Sequence, residues 1–552
     1  MNIGDRLCTT CKNKFVIEPD DAAFYERADV PPPEQCPYCR WKHMLGFWIF
    51  GRFRIAKSAL SGKTIITTFP ESVQFPLYEH KEWVSDAWDP LSYGQEYDPN
   101  RPFFEQFAEL QAKVPHPHST GFNNYNCDWA DDIWHSKNCY LSRSTVNSED
   151  LIYSYRNLGC KNSVDLVFCF DTEYSYDSLY CFKCHKVKYS FNSRDCLDSA
   201  FLVDCRNCSN CFMSWNLRNK QYHILNKPYS KEAYFEKLKE SDIQSYSTVE
   251  KLKKEFDRIV REETLHRQNF NVNAVHSEGN FLERVKNCNN TYFFSESENI
   301  RHGFRGGYCK DSIDCVGSIT EHSAFSVVDG HTYDTLATSH CANCRYSAYL
   351  DFCEECEYCF GCSGLRKKKY CILNKQYTEA EYTALAAQIK EDMKRRGEWG
   401  KFFPMSFAYS GYNLTLGQII FPETKEEATK SGKKWEELPT PEYKDAILAE
   451  TVPDRIEDVA DDIISKRIIC PETKLSYNIA PQELQFYRAQ GIPLPRRHFD
   501  WRTLNRFRPM TLIVYPQKGS CYICKKEIEH YYAPELGYKK IACIECYQQQ
   551  VS

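Results

Sequence analysis

The chain has 552 residues, 42% of them hydrophobic and 15% aromatic, with a formal net charge of −5. That length exceeds one core and predicts several domains, while the excess of Tyr and Phe favours β-structure or packed turns. The N-terminus reaches Cys8 with no apolar export segment, and the longest strongly apolar run, Met44 to Phe50, falls far short of the roughly 20 residues that span a bilayer. A membrane protein is therefore not expected, a reducing, cytoplasmic setting is, and the 29 cysteines read as thiols or metal ligands rather than disulfides.

Cys8-Thr-Thr-Cys11 and Cys36-Pro-Tyr-Cys39 open the chain with 24 residues between them. Two residues between cysteines let a tight turn aim both sulfurs at one ion, and two such turns complete the tetrahedral shell that Zn2+ prefers. With Phe15-Val-Ile17, Phe24-Tyr25, Pro33 and the ending Cys36-Pro-x-Cys39-Arg40, the segment resembles the small bacterial zinc-ribbon family with an FY pair and a CPxCR ending. From Gln35 to Pro70 there is no acid, and Arg40, Lys42, Arg52, Arg54, Lys57 and Lys63 are interleaved with Trp41, Phe47, Trp48 and Phe50. Such a mixture suits a single-stranded nucleic acid; it also suits an amphipathic segment with its aromatics packed inward. Asn100-Arg-Pro102 then reads as a helix start, with Phe103, Phe107 and Leu110 on one face.

Between about 138 and 230 short apolar segments recur every 10 to 13 residues, separated by Asn, Ser, Asp and Cys, which predicts an all-β module. The module is written twice. Leu217 to Tyr229 reappears as Leu365 to Tyr377; Cys196, Cys205, Cys208 and Cys211 fall on Cys344, Cys353, Cys356 and Cys359, shifted by 148, while Cys139 and Cys160 fall on Cys288 and Cys309, shifted by 149. The fold class expected is mixed and β-rich: a duplicated cysteine-rich β-module with helical caps, flanked by zinc ribbons. Cys139, Cys160 and Cys181 lie 21 apart, which favours a β-solenoid of about two strands per turn over a sandwich or meander. The internal cysteines, including the run Cys353, Cys356, Cys359, Cys362, read first as an inward ladder of thiols; further zinc and an iron–sulfur cluster are the alternatives. Asp165, Asp171, Asp198 and Asp204 read as turn residues.

Helices are expected after each module: one capped by Ser230, one by the box Ser247-x-x-Glu250, and one by Thr378-x-x-Glu381. A short helix starts at Thr424-x-x-Glu427, and another is expected over Pro453 to Lys466. Cys470 to Arg502 then repeats Cys8 to Arg40 without a gap, keeping Phe486-Tyr487, Pro493, Pro495 and the final Arg but placing Thr473, His498 and Trp501 where three cysteines stood. This copy is expected to be metal-free and to share a docking surface with the first. Between Leu484 and Cys524 seven basic residues face one acid, a local +6 that marks a footprint for phosphate or an acidic partner. Cys521-Tyr-Ile-Cys524 and Cys543-Ile-Glu-Cys546 close the chain as a second four-cysteine ribbon.

The whole order resembles the multi-zinc-ribbon proteins of small-genome bacteria and large DNA viruses, a resemblance that implies zinc and no particular activity. The modules expected are 1–60, an N-terminal ribbon with a basic aromatic extension; 61–137, a connecting region with a helix; 138–275 and 276–400, the two β-modules with their helices; 401–469, a mixed linker; 470–510, the degenerate ribbon; and 511–552, the final ribbon. Two zinc ions are expected, on Cys8, Cys11, Cys36 and Cys39 and on Cys521, Cys524, Cys543 and Cys546. The leading functional expectation is a zinc-stabilised scaffold contacting nucleic acid or a nucleoprotein through Arg40, Arg52, Arg54, Arg496, Arg497, Arg502, Arg506 and Arg508. The alternative is a protein-interaction component whose basic runs contact its own acidic middle and whose repeat surface does the binding. A thiol-redox or glycan-active enzyme is the least favoured reading, since no nucleotide-binding glycine loop or triad signature is present.

Overall fold

The computed structural model describes residues 4–438, 443–511 and 516–551. It is β-rich, with twelve α-helices among the described residues. Two compact units form, neither contiguous in sequence: one gathers Met1–His118 with Asn269–Glu437, the other Ser119–Gln268 with Leu438–Ser552. Each unit therefore joins the ribbon modules of one end of the chain to the β-module more distant from that end.

In the second unit parallel strands follow one another from Glu149–Ile152 to Gln221–Ile224. Each pairs with the next at a step of twelve residues: Lys161 lies opposite Glu149, Val164 opposite Tyr176, His185 opposite Leu197 and Ser209 opposite Gln221. Within each coil every third residue from Asp132 to Asn219 is left-handed, with φ between +45° and +68°. This is why Asn and Asp punctuate the sequence, since their short polar side chains tolerate that region. Asp165, Asp171, Asp198 and Asp204 all have this left-handed φ, although Asp165 and Asp198, read as turn residues, lie within the strands Lys161–Val167 and Leu197–Val203.

The residue after each corner points inward. Cys160, Ser163, Leu166, Cys169, Thr172, Ser175, Ser178, Cys181 and Val187 are almost wholly buried, and Cys, Ser and Thr do one job there. Cys169 Sγ donates to the carbonyls of Val167 and Ser178, each at 3.5 Å, as Thr172 Oγ1 donates to those of Phe170 at 3.0 Å and Cys181 at 3.3 Å. Small donors are needed because each interior position must fit between coils and satisfy a buried carbonyl. The parallel register steps by twelve residues, not by the 21 of the cysteine spacing. Twenty-one is a multiple of the three-residue side but not of the coil, so Cys139, Cys160 and Cys181 belong to different inward columns.

The first unit holds the second copy, a parallel array from Val272–Val275 to Lys369–Ile372. Its steps are again twelve, as for Gly279 opposite Thr291 and Tyr333 opposite Arg345. Two pairings step by eleven instead: the first, with Val272 opposite Glu283, and the one that sets Ile313 opposite Ala324 and Cys315 opposite Ser326, which lies between Cys309 and Cys344. That missing residue is the physical origin of the change in repeat offset from 149 to 148. The C-terminal end of each array is closed by a short antiparallel strand, Lys227–Pro228 or Lys375–Gln376, followed by a capped helix. Ser230 Oγ accepts from Ala233 N–H, and Thr378 forms its box with Glu381. Two expectations are corrected. The helix Tyr246–Glu262 is capped by Ser245, whose Oγ accepts from Thr248 N–H, rather than by Ser247, which lies in its first turn. Pro453 to Lys466 forms two 3-10 turns, Ile456–Asp458 and Asp461–Ser465, rather than one helix.

Candidate metal centres and the ribbon docking surfaces

At the N-terminus the strands Gly4–Leu7 and Lys14–Ile17 pair antiparallel, and their turn carries Cys8 and Cys11, with Lys12 left-handed at φ 63°. Cys36 caps the helix Pro37–Leu45, which places Cys39 in its first turn. Cys36 N–H donates to Cys8 Sγ at 3.3 Å, and Cys11 Sγ lies 3.7 Å from Cys36 Sγ. The C-terminal ribbon repeats this geometry. Strands Gln517–Ser520 and Glu527–His530 hold Cys521 and Cys524, and Cys543 and Cys546 belong to the start of the helix Ile544–Val551. Cys543 N–H donates to Cys521 Sγ at 3.4 Å, and Cys524 Sγ lies 3.9 Å from Cys543 Sγ.

In both quartets the four sulfurs lie within 4.8 Å of one another. A tetrahedral Zn2+ site with Zn–S of about 2.3 Å has sulfurs about 3.8 Å apart, so both quartets fit the ion. Donors favour the anionic form at one cysteine of each quartet in particular. Hydrogen bonding from the Cys39 thiol pulls Cys36 down to about 5. Cys521 falls to about 6, since the N–H groups of Cys543, Cys524 and Ile523 outweigh the burial that opposes ionisation. Two four-cysteine zinc sites are thus present in the fold. Among the described residues no other set of three or more Cys, His, Asp or Glu ligands gathers in this way. The run Cys353 to Cys362 is divided among successive sides of the coil, and each thiol donates to backbone carbonyls, as Cys353 does to Cys362 and Cys356 to Leu365.

The degenerate copy keeps the ribbon's backbone without its ligands. Cys470 N–H bonds Leu475 carbonyl at 2.8 Å where Cys8 N–H bonds that of Asn13 at 2.9 Å, and Lys474 repeats the left-handed turn of Lys12. A fourth ribbon escaped the sequence analysis. Strands Arg54–Lys57 and Thr64–Thr67 form a hairpin whose turn carries Ser58, Ser61 and the left-handed Gly62. Glu79 N–H donates to Ser58 Oγ at 3.4 Å, as Cys543 N–H does to Cys521 Sγ. Ser58, Ser61, Glu79 and Glu82 thus stand where the last ribbon has its cysteines, and Ser58 Oγ donates to Glu82 Oε2 at 2.5 Å in place of metal. Strand Leu77–Tyr78 pairs with His116–Pro117 as Ile541–Ala542 pairs with His266–Arg267. The only sequence signal was the shared spacing of Ser58-x2-Ser61 and Cys521-x2-Cys524, which a search for cysteines passes over.

Each ribbon of the CPxCR type docks on the parallel array of its own unit. Arg40, 5% exposed, directs Nε to both oxygens of Asp314 at 2.9 and 3.0 Å. Its counterpart Arg502 forms an ion pair with Asp165, Nε lying 3.0 Å from Oδ2, and lies over the Tyr153 ring. The tyrosine of the FY pair joins in: Tyr25 OH donates to Asp314 at 3.4 Å, and Tyr487 OH to Glu483 at 2.8 Å. The helix-start acids Asp21 and Glu483 meet the array too, at His302 (3.4 Å) and Tyr153 (2.8 Å). Trp48 lies against Gly317, a corner at φ +68° where a Cβ would stand 2.5 Å from the indole.

The arginines expected to face nucleic acid have the following places in the structure. Arg40 and Arg502 are buried on aspartates, and Arg506 donates to Asp177 at 2.6 Å; a guanidinium so desolvated and paired offers nothing to phosphate. Arg54 donates to the carbonyls of Phe69 and Pro70, Arg496 to that of Val452, and Arg497 to Glu250 and Glu472. Arg52 and Arg508 are exposed. Trp41, Phe47 and Trp48 are buried, so the aromatics pack inward rather than forming a stacking platform.

Among the described residues no helix is long and apolar enough to cross a membrane. No protein-family model matches the chain, and no curated protein matches it. Among solved structures, "putative acetyltransferase from Desulfovibrio desulfuricans G20" is similar over 41% of this chain and 65% of its own, at 8% identity and a TM-score of 0.11. A likeness that slight carries no argument about fold or activity.

Proposed function

We propose that the protein is a zinc-stabilised scaffold of the reducing cytoplasm, whose ribbons clamp two β-solenoids and whose solenoid surfaces bind a protein partner. The recurring twelve-residue register and the inward columns of small donors support the solenoid reading. The observation that carries the function is the destination of the basic runs. Arg40, Arg502 and Arg506 end on Asp314, Asp165 and Asp177 of the parallel arrays, so the charge segregated in the sequence serves internal docking. The ribbon modules at 1–60, 470–510 and 511–552 then act as clasps, and the repeats at 138–275 and 276–400 as the platform.

Filter binding of zinc-loaded protein to single-stranded RNA and duplex DNA across a salt series tests this. The expected result is no specific affinity, with a stoichiometric protein partner retained after nuclease treatment. Affinity that falls steeply with salt, the signature of counterion release, would replace this reading by nucleic-acid binding through Arg52 and Arg508.

A further inference from the structure

The inward columns of the arrays stack thiols, and one stack reaches the surface. In the second unit Cys127 and Cys139 sit on successive coils, twelve residues apart, beside the parallel pairing of Tyr125 with Lys137. Parallel neighbours stand about 4.8 Å apart, inside the Cα range of about 4.4–6.8 Å that a disulfide spans. Leu151 follows them in the core, so no third sulfur continues this column. Cys127 is half-buried, whereas the cysteines from 139 to 371 are all buried. Cys139 N–H donates to Cys127 Sγ at 3.3 Å. The zinc quartets make the same contact to Cys8 at 3.3 Å and to Cys521 at 3.4 Å, where it favours the anionic sulfur. Hydrogen bonding from the Cys139 thiol, joined by that N–H, brings Cys127 down to about 7 against burial and the neighbouring Asp128. The other array supplies a contrast: Cys288 N–H donates to Ser277 Oγ at 3.0 Å, so a hydroxyl stands where the outer sulfur would be.

We infer that Cys127 is a site of oxidative modification by hydroperoxides, and that Cys139 resolves the oxidised sulfur as an intramolecular disulfide. A reachable thiolate beside a second thiol is the arrangement that such chemistry needs. The Cys127 thiolate attacks a peroxide oxygen; an S–O bond forms, the O–O bond breaks, and the departing alkoxide or hydroxide takes a proton from water. The Cys139 sulfur then attacks the sulfur of the Cys127 sulfenic acid. The S–S bond forms, the S–O bond breaks, and the leaving hydroxide takes the Cys139 proton as water. Two thiols lose two electrons, and the peroxide bond gains them. The first step prepares the second. Cys139 is held far above the ordinary thiol range, first by its hydrogen bond to Cys127 and then by burial and the Cys127 charge; the bond to an anion and that charge both lapse once Cys127 is a neutral sulfenic acid. The inference goes beyond the scaffold reading and holds whatever the arrays bind.

The test treats full-length, zinc-loaded protein with a small molar excess of hydrogen peroxide, blocks the remaining thiols with iodoacetamide and maps peptides by mass spectrometry. Trypsin cuts after Lys137, so Cys127 and Cys139 part unless they are joined. The expected result is a Cys127–Cys139 link that forms before any other disulfide of the arrays, at unchanged zinc content, and that dithiothreitol reverses. Cys139→Ser should instead accumulate a Cys127 sulfenic acid that dimedone captures. Cys127→Ser, which copies the serine already standing at Ser277, should slow oxidation of Cys139 at least tenfold. A Cys127 that alkylates no faster than Cys288 in untreated protein would overturn the inference. So would a Cys127 that passes to sulfinic acid without linking to Cys139, or zinc lost while both thiols remain free. Cys139 oxidised equally fast in Cys127→Ser would refute the order of the two steps and the inference with it.

Discussion

The N-terminal ribbon and its counterpart at 470–502 meet their arrays in one way and hold themselves together in two. Both start a helix with an acid that bonds back to its own first turn, Asp21 to Glu18 N–H and Glu483 to Ala480 N–H. Both end on an arginine buried against a corner aspartate. One has four metal-binding thiols; the other has Cys470 with Thr473, His498 and Trp501. Docking is therefore a property of the FY pair, the acid and the arginine, and zinc secures only the ribbon's tip. The reverse holds for the second ribbon type, intact at Cys521 to Cys546 and replaced by Ser58, Ser61, Glu79 and Glu82. Each unit keeps one zinc quartet and one copy that folds without it. A small ribbon tolerates losing its ion once the rest of its surface is buried on a neighbour.

Removing metal breaks this comparison most sharply. Purified protein should carry two zinc ions by mass spectrometry. Cys36→Ser with Cys39→Ser should remove one ion, and Cys543→Ser with Cys546→Ser the other, while Cys470→Ser leaves the count unchanged. Zinc binding is worth about 10–16 kcal/mol in comparable peptides, so the ligand-free tips should become protease-sensitive. The converse sharpens it: Ser58→Cys, Ser61→Cys, Glu79→Cys and Glu82→Cys together should raise the zinc content from two to three. An unchanged count would mean that the hairpin turn is not a true ribbon knuckle.

A smaller effect is expected at the docking pairs, and it should be alike in the two modules. Asp314→Ala and Asp165→Ala each strand a buried arginine, at a cost of about 3–5 kcal/mol, read as lowered denaturant midpoints. Neither should alter zinc content. A cost confined to Asp314 would show that the metal-free module docks by other means.

The smallest effect separates the modules by sign. Burial opposes ionisation of Asp21, but His302 and Arg301 hold its carboxyl below the ordinary Asp range; its contribution is present at neutral pH and lost as pH falls through that lowered value. Burial pushes Glu483 above the ordinary Glu range despite Arg502 and its two tyrosine donors. Its contribution is fully present below the usual Glu pKa and lost as pH rises through the raised one. Asp21→Asn should therefore destabilise at pH 7, whereas Glu483→Gln should be tolerated or stabilising. Carboxyl NMR titration should place the two groups on opposite sides of their reference values.

Chemistry was legible wherever a residue type has few uses. Four cysteines in two spaced pairs admit little besides metal, and both quartets close as their spacing requires. The duplication was legible because the offset survives in cysteines and in Leu217 to Tyr229. The coil was harder. A three-residue side leaves Cys, Ser, Thr, Leu and Val interchangeable at inward positions, so cysteine alone samples each column irregularly and gives an apparent spacing of 21. The docking role of Arg40 and Arg502 was half visible, as an arginine kept in both copies. Its partner was not, because Asp165 and Asp314 look like any other corner aspartate. Basic residues counted along the sequence also overstate surface charge, since a guanidinium and the carboxylate that neutralises it sit hundreds of positions apart.

That separation bears on how the chain is made. Arg40 and Asp314 are 274 residues apart, and Tyr153 and Glu483 are 330 apart, so neither unit can close until long after its first half has left the ribosome. In the interval the N-terminal ribbon has only the first array beside it, where Asp165 presents the corner that Asp314 will later offer. Two near-identical berths compete for one early-arriving ligand, and the wrong one is synthesised first. The berths differ in what meets the helix-start acid: His302 and Arg301 meet Asp21, whereas the phenol of Tyr153 meets Glu483, so a premature pairing would forgo the cationic partners of Asp21.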